Sequence, residues 1–571
     1  MLNSASSQAN SSGHDESVTL RVMVTSDLHG ELSGFNYFSK QPTTAGLVHT
    51  AVLINEARKQ AEHSILIDNG DTIQGSPLAS WAIEQLEQTP NPAVQALNAL
   101  RFDVANIGNH EFNFGLEPLW QSYAIAEAQV ISANIHNVDA QANIPSWIKP
   151  YAMIERSVSW QGQTKVLKIA VIGVLPPQIM SWDQQHLQGK IAVSDSVAAV
   201  AATLNQVYRD EAPDLVVLAA HMGMPKHSPQ TSDAEQTLWE IAGLAGIDAI
   251  VFGHQHEVFP GTSVYDQLPE IDSKQGRIRG IPAVQPGAYG SHLGIIDLNL
   301  VFDERTGWQV SSSVVDARPT TTAKDPLIWE LVEPAHEATL AYVQQPVGAT
   351  AVTFSHQTAR LEATAAMQFI HEAQLWYARN IQDPEFQQQL NSYPLLSAAA
   401  PFFTAVRESD ESYTLIPPGA VTLGDIGDLY RYPNTLDVVK VNGADLRRWL
   451  EQSGAAFQQN KQGWEQINPL VPSYDFDNLF GLTYRYDLRQ PVGQRLVELR
   501  YQGADVAAEQ NFLVVTNNYR AGGGGDFAGL DGSQIIYRSP DMLQSVLINY
   551  LASLPEQTYQ SELQRFWDIK N

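Results

Sequence analysis

Along the first three hundred residues, short apolar runs recur, and most are closed by a polar or charged cluster. LRVMVTSD, SILIDNGD, VANIGNHE, VISANIH, LKIAVIGVL, DLVVLAAHMG, DAIVFGHQH and GIIDLNLVF each read as a buried strand. Helical patterns separate them, LEPLW after GNHEFNFG among them. From Thr19 to about residue 317 this alternation predicts an α/β domain. In such domains ligands gather where strands end, which is where the polar clusters stand.

The segment 325–348, DPLIWELVEPAHEATLAYVQQPVG, reads as one helix with a proline inside, placed as a linker between two halves. Beyond it come a helical stretch, TAAMQFIHEAQLWYARN, and then mixed strands and turns. That half has dense aromatic runs (LYRYPN, YDFDNLFGLTYRY) and a glycine cluster, AGGGG. No internal repeat is visible. At 571 residues the chain exceeds what one hydrophobic core holds, so at least two domains are expected. The division is a polar tail over 1–18, expected to be disordered, an α/β domain over 19–320, a linker helix over 321–348 and a second domain over 349–571.

Composition narrows the function. The net charge of −28, from 34 basic and 62 acidic residues, leaves no basic footprint for a nucleic-acid polymer. Small anions remain admissible, because bound metal ions invert the local field. Cysteine is absent, which excludes disulfides, thiolate metal sites and cysteine nucleophiles. No apolar run is long enough to span a bilayer, so no membrane partner is expected, and no obligate protein partner is evident. The first residues carry neither a basic nor an apolar signal region.

The strand-end residues form a donor set. Asp27 and His29 lie in SDLHG, Asp71 in NGDT, Asn109 and His110 in GNHE, His221 in AAHMG, and His254 and His256 in GHQH. Imidazole with carboxylate suits first-row divalent ions, and two ions sharing a bridging carboxylate need about this many ligands. Asp71, in a tight Asp-Gly turn, is a sensible bridge. Alone, GNHE also fits a capped helix start, with Asn109 as N-cap and Glu111 in the first turn.

These motifs resemble the signature of the calcineurin-like metallophosphoesterases, and more narrowly the 5′-nucleotidase family. NGDTIQGSPL, GHQHEVFPG, LSAAAPF, YPNTL and NNYRAGGGGDF carry the resemblance over nearly the whole chain, toward the branch of bacterial 2′,3′-cyclic-nucleotide 2′-phosphodiesterase/3′-nucleotidases. It implies an N-terminal metallophosphoesterase α/β sandwich, a linker helix and a C-terminal α/β substrate-binding domain. It implies one metal on Asp27, His29, Asp71 and His256, and another on Asp71, Asn109, His221 and His254. The two divalent ions are Zn, Mn, Fe or Co, and metal-activated water is the nucleophile. It assigns His110 to the phosphate and leaving group, Asn113 to orienting His110, and Tyr432 and Tyr519 to a nucleobase sandwich, with Asp526 toward ribose hydroxyls. It also implies a periplasmic or secreted location.

Two positions depart from the 5′-nucleotidase pattern. Asn113 stands where those enzymes carry an aspartate, so the histidine loses a stabilising charge; a polar residue at a helix start is the bland alternative. SAAAPF, 397–402, stands where they carry a substrate-anchoring arginine. The spacing of Asp526 from Tyr519 is also one residue longer. Both substitutions favour the cyclic-phosphate and 3′-nucleotide branch. A 5′-nucleotidase or nucleotide-sugar hydrolase, and a non-catalytic nucleotide-binding protein, are the competing expectations.

Overall fold

The computed structural model describes residues 17–570 except 38–39, 139–142, 226–234, 433 and 528. The tail expected over 1–18 therefore lies outside the described residues up to residue 16, and Val18 already opens the first strand.

The N-terminal half is built on strands β1 (Val18–Thr25), β2 (His63–Asp68), β3 (Val104–Asn106), β4 (Gln129–Ile131), β5 (Tyr151–Trp160), β6 (Gln163–Val174), β7 (Leu215–Ala220), β8 (Ala249–Phe252), β9 (Ile281–Pro286), β10 (His292–Asp303) and β11 (Gly307–Pro319). One sheet runs β11-β10-β1-β2-β3-β4, and its four members β1 to β4 are parallel. The second runs β9-β8-β7-β6-β5, with β6 to β9 parallel and short strands beyond β9. VISANIH divides into two strands, β4 and Ile135–Asn137.

The two sheets pack face to face. Val22, Val24, Ile65 and Ile67 of the first meet Ile169, Val171, Val217 and Val251 of the second in one core. Alternate residues on the outer faces are covered by helices, Met23 and Leu66 on one side, Ile172 and Leu218 on the other. The helix Ser196–Asp210 shows how this is encoded. Asp195 caps it by accepting from the Ala198 amide, and Val200, Leu204 and Val207 line one face over the second sheet. Strands buried on both faces explain why the apolar runs are continuous and not alternating.

The helix expected over 325–348 runs Pro326–Val343, capped by Asp325, with Pro334 inside. It stops there because Pro346–Thr350 is claimed by a sheet, pairing with Gly419–Thr422 and Thr558–Tyr559. Ile328, Val332 and Val343 hold the helix on the N-terminal half. The C-terminal half carries a five-stranded sheet ordered Asn478–Phe480, Leu395–Ala399, Asn511–Asn517, Thr435–Asn442 and Ile535–Met542. The helix Ala365–Asn380, capped by Thr364, packs on it. No helix among the described residues is long and apolar enough to cross a membrane.

Candidate metal centre and catalytic histidine

Because β1, β2, β3, β7 and β8 run parallel within their sheets, their carboxyl ends deliver Asp27, Asp71, Asn109, His221 and His254 to one edge of the sandwich. The turns that follow are tight. Asp27, His29, Asp71, His254 and His256 all have positive φ, between 49° and 71°. Such backbone costs about 1–2 kcal/mol per residue and persists where surrounding structure enforces it. Here His29 N donates to Asp71 O at 2.7 Å and Asp27 N to Gly70 O at 3.0 Å, binding the first two turns together.

Glu111 fastens the third turn to the second. Its buried carboxylate accepts from the backbone amides of Gly108 and Asp71 at 2.8 Å each and of Thr72 at 2.6 Å. Gly108 must lack a side chain, because a Cβ there would come within 2.3 Å of Asp71 Oδ1. Asn109 makes no capping bond, so the helix-cap reading of GNHE does not describe it.

The donors fall into two groups, Asp27 with His29 and His256, and Asp71 with His221 and His254, with the ligand atoms in each within 4.8 Å of one another. Asp27 Oδ1 is 3.9 Å from His221 Nε2, so the groups adjoin. Asn109 Oδ1, Asp71 Oδ2 and His221 Nε2 are all buried without a hydrogen-bond partner among the described residues. His221 Nε2 lies 2.9 Å from Asp71 Oδ2, a contact lacking hydrogen-bond alignment. Buried polar atoms without partners are costly, and donors converging in this way fit divalent cations.

The histidine tautomers agree. His221 Nδ1 donates to Asn69 O at 2.7 Å and His29 Nδ1 to Gln74 O at 3.0 Å, so in each ring Nε2 is the nitrogen left to face a metal. Burial pushes His221 down, but Asp71 outweighs it and lifts the ring to about 10, so a metal would displace a proton from that Nε2. Burial, and then His256, push His29 down to about 4, so it is neutral. Burial pushes the Asp71 carboxyl up, but His221 and His110 outweigh it and hold Asp71 well below the usual carboxylate range.

His110 begins the short turn His110–Phe112, its backbone amide donating to Asp71 Oδ1 at 2.7 Å. Its Nδ1 meets Asn113 Oδ1 at 2.6 Å. Asn113 closes that turn, and its side chain is engaged with His110 and Asp183 instead of serving as a solvent-facing helix start.

Tyr432 and Tyr519 are both half-buried. Tyr432 packs edge-on against Phe402 at 5.1 Å, while Tyr430, two residues away, is buried in the core. Tyr519 lies 5.7 Å from the Trp182 ring, and Trp182 stacks on His254 at 6.0 Å. Asp526 is exposed on the loop after the glycines. The glycine cluster packs against Tyr519. A Cβ on Gly524 would strike the Tyr519 ring at 2.3 Å, so the loop lets that ring lie flat against its own backbone.

Several residues at this site carried no signal in the sequence. Asp183 and Trp182 lie in SWDQQH, which ends no strand, and Tyr289 reaches His29 and His256 at 5.5 Å from a loop. The Glu235 carboxylate is 2.9 Å from His254 Nε2. Only Glu111 had a detectable sign, its place in GNHE.

Comparison with known proteins decides the family. Residues 20–258 match the calcineurin-like phosphoesterase model and residues 346–532 the 5′-nucleotidase C-terminal domain. A Haemophilus influenzae protein named 2′,3′-cyclic-nucleotide 2′-phosphodiesterase/3′-nucleotidase is 36% identical over 94% of this chain and 85% of its own length. The chain belongs to the 5′-nucleotidase family of calcineurin-like phosphoesterases. Its Salmonella typhimurium relative of the same name is 37% identical over 94% of this chain and 86% of that one. The Trifunctional nucleotide phosphoesterase protein YfkN of Bacillus subtilis is 33% identical over 97% of this chain, which spans only 39% of that longer protein. The crystal structure of a putative 5′-nucleotidase from Staphylococcus aureus superposes with a TM-score of 0.73 over 97% of this chain and all of that one, at 22% identity, a likeness of fold. The calcineurin-like fold of this family implies divalent metal ions, in keeping with the two donor groups.

Proposed function

We propose that this protein hydrolyses ribonucleoside 2′,3′-cyclic phosphates and 3′-mononucleotides to nucleoside and phosphate. The observation that carries the reading is the full donor set, with buried unpaired ligand atoms, in a chain 36–37% identical over nearly its whole length to proteins so named. Asp27, His29, Asp71 and His256 would hold one divalent ion, and Asp71, Asn109, His221 and His254 the other, with Asp71 shared. Such a pair, when bound, supplies Lewis acidity toward phosphate oxygens and lowers the pKa of water to near neutrality.

The chain's own residues do the rest. His110, its Nδ1 proton held by Asn113 Oδ1, keeps Nε2 for the leaving oxygen. Ring opening of the cyclic ester expels the 2′-oxygen and the second hydrolysis expels the 3′-oxygen, so one acid serves both steps. Tyr432 and Tyr519 would stack on the base, braced by Phe402 and Trp182. Asp526, from the resemblance, is assigned to ribose hydroxyls. The domain over 19–320 then carries the chemistry, the domain over 349–571 the base, and the helix between them joins the two. The family resemblance supports a periplasmic or secreted location, which the cysteine-free composition fits.

The test is a side-by-side rate measurement on 2′,3′-cyclic AMP, 3′-AMP and 5′-AMP after reconstitution with Mn²⁺ or Zn²⁺. The first two should be turned over and the third left nearly untouched. Faster release from 5′-AMP would make it a 5′-nucleotidase, and adenosine binding with no phosphate released from any substrate would make it a binding protein.

A further inference from the structure

Asn113 is not the end of its hydrogen-bond chain. Its Oδ1 faces His110, and its Nδ2 donates to both carboxylate oxygens of Asp183, at 3.2 and 3.1 Å. Asp183 is 3% exposed, follows the short helix Ile179–Trp182, and lies 70 residues away along the chain.

The two ends of an amide have nearly the same shape, so an asparagine beside a histidine does not by itself decide which end the ring meets. A carboxylate decides it, because an ionised carboxylate only accepts. Asp183 takes the Asn113 NH₂ group, the Asn113 oxygen must turn to His110, and that oxygen requires a proton on Nδ1. With Nδ1–H donating to an oxygen, Nε2 can carry the second proton. With an NH₂ group turned toward Nδ1, the imidazolium would be repelled.

We propose that Asp183 is a positioning residue for His110, fixing the orientation of the Asn113 amide and so keeping Nε2 as the nitrogen that delivers the proton. The proposal rests on His110 acting as the acid for an alkoxide leaving group. It also accounts for the missing aspartate: the carboxylate has moved one residue back along the hydrogen-bond chain. The C-terminal half holds the far end in place. Asn518 donates to Trp182 O and Arg538 to Ser181 O, and the Trp182 ring lies against both His254 and Tyr519.

The experiment uses the full-length, metal-loaded protein and two kinds of ester. 3′-AMP and 2-glycerophosphate expel an alkoxide that needs a proton; p-nitrophenyl phosphate expels an aryl oxide that leaves without one. Burial pushes Asp183 up to about 7, so assays run near pH 8. Asp183→Asn should slow the alkyl esters by about tenfold or more, part of the 10²–10⁴ a positioned acid supplies, with p-nitrophenyl phosphate changed by under about threefold and metal content unchanged. Asn113→Asp sets two carboxylates against each other and should slow the alkyl esters further. The double variant Asn113→Asp/Asp183→Asn exchanges the pair and should recover about tenfold over Asn113→Asp alone. Equal slowing of both ester classes, no slowing of either, or a double variant no better than Asn113→Asp would each overturn the proposal. Loss of the nucleotide reading alone leaves the comparison intact, because 2-glycerophosphate carries no base.

Discussion

Replacing Glu111 with glutamine removes one charge and one acceptor at the joint between the second and third ligand-bearing turns. In the native protein Oε2 accepts from the amides of Gly108 and Asp71, and Oε1 from that of Thr72, with Ile73 more distant at 3.4 Å. The best placement of a glutamine keeps its oxygen on Gly108 and Asp71 and turns its NH₂ group toward the Thr72 amide. One buried N–H then faces a donor, at a cost of about 1–3 kcal/mol. The two surviving hydrogen bonds lose their charge assistance, about 1 kcal/mol each. The neutral amide also escapes the burial and the Asp71 repulsion that raise Glu111, on the order of 3 kcal/mol, so near pH 8 Glu111→Gln should destabilise the metal-free N-terminal domain by no more than about 2 kcal/mol.

The measurement is guanidinium unfolding in chelator near pH 8. Burial, then the Asp71 charge, push Glu111 up to about 7, so the carboxylate is ionised at that pH. Below about pH 7 the folded acid holds a proton that the unfolded one, with its ordinary value of 4.5, does not, so the native protein gains stability that the glutamine variant cannot and the difference should widen as pH falls toward 5. A loss above about 3 kcal/mol at pH 8, or one that does not widen on acidification, would refute the clamp reasoning.

Other consequences follow from the same geometry. Tyr519→Ala should raise KM for nucleotides by about 5- to 150-fold, the equivalent of 1–3 kcal/mol of stacking, with kcat on p-nitrophenyl phosphate unchanged; equal loss on both substrates would remove the ring from base binding. Adding Mn²⁺ or Zn²⁺ at about a hundred times its dissociation constant should stabilise the fold by about 2.7 kcal/mol, and Asp71→Asn should abolish most of that gain; calorimetry with elemental analysis reads both. Burial holds His371, between Ser397 and Asn478, down to about 4. Its folded value is below its unfolded value, so its stabilising contribution is full above about pH 6.5 and is lost as pH falls toward 4, on the order of 3 kcal/mol. His371→Gln should flatten the thermal midpoint over that range, and an unaltered slope would show that other groups govern it.

The strands were legible because burying both faces of a parallel sheet writes a continuous apolar run, and the polar residues that end those runs are the ones the fold brings together. Val22 to Asp27, Ile65 to Asp71 and Leu218 to His221 are local records of that arrangement. The helix Ala365–Asn380 was equally plain, since Thr364 caps it in place. The linker helix was read too long because helix propensity does not see that Pro346–Thr350 has partners about seventy residues away, in Gly419–Thr422.

What the chain order alone determined, then, was the donor chemistry and the alternation of strand and helix, since both depend on side-chain type and short-range periodicity. The pairing of the two sheets, the clamp at Glu111, the meeting of Trp182 with His254 and Tyr519, and the carboxylate of Asp183 behind Asn113 were decided by tertiary structure alone. Each joins residues far apart in the chain, and a hydrogen bond or ring contact at that separation leaves no periodicity in the sequence from which to infer it.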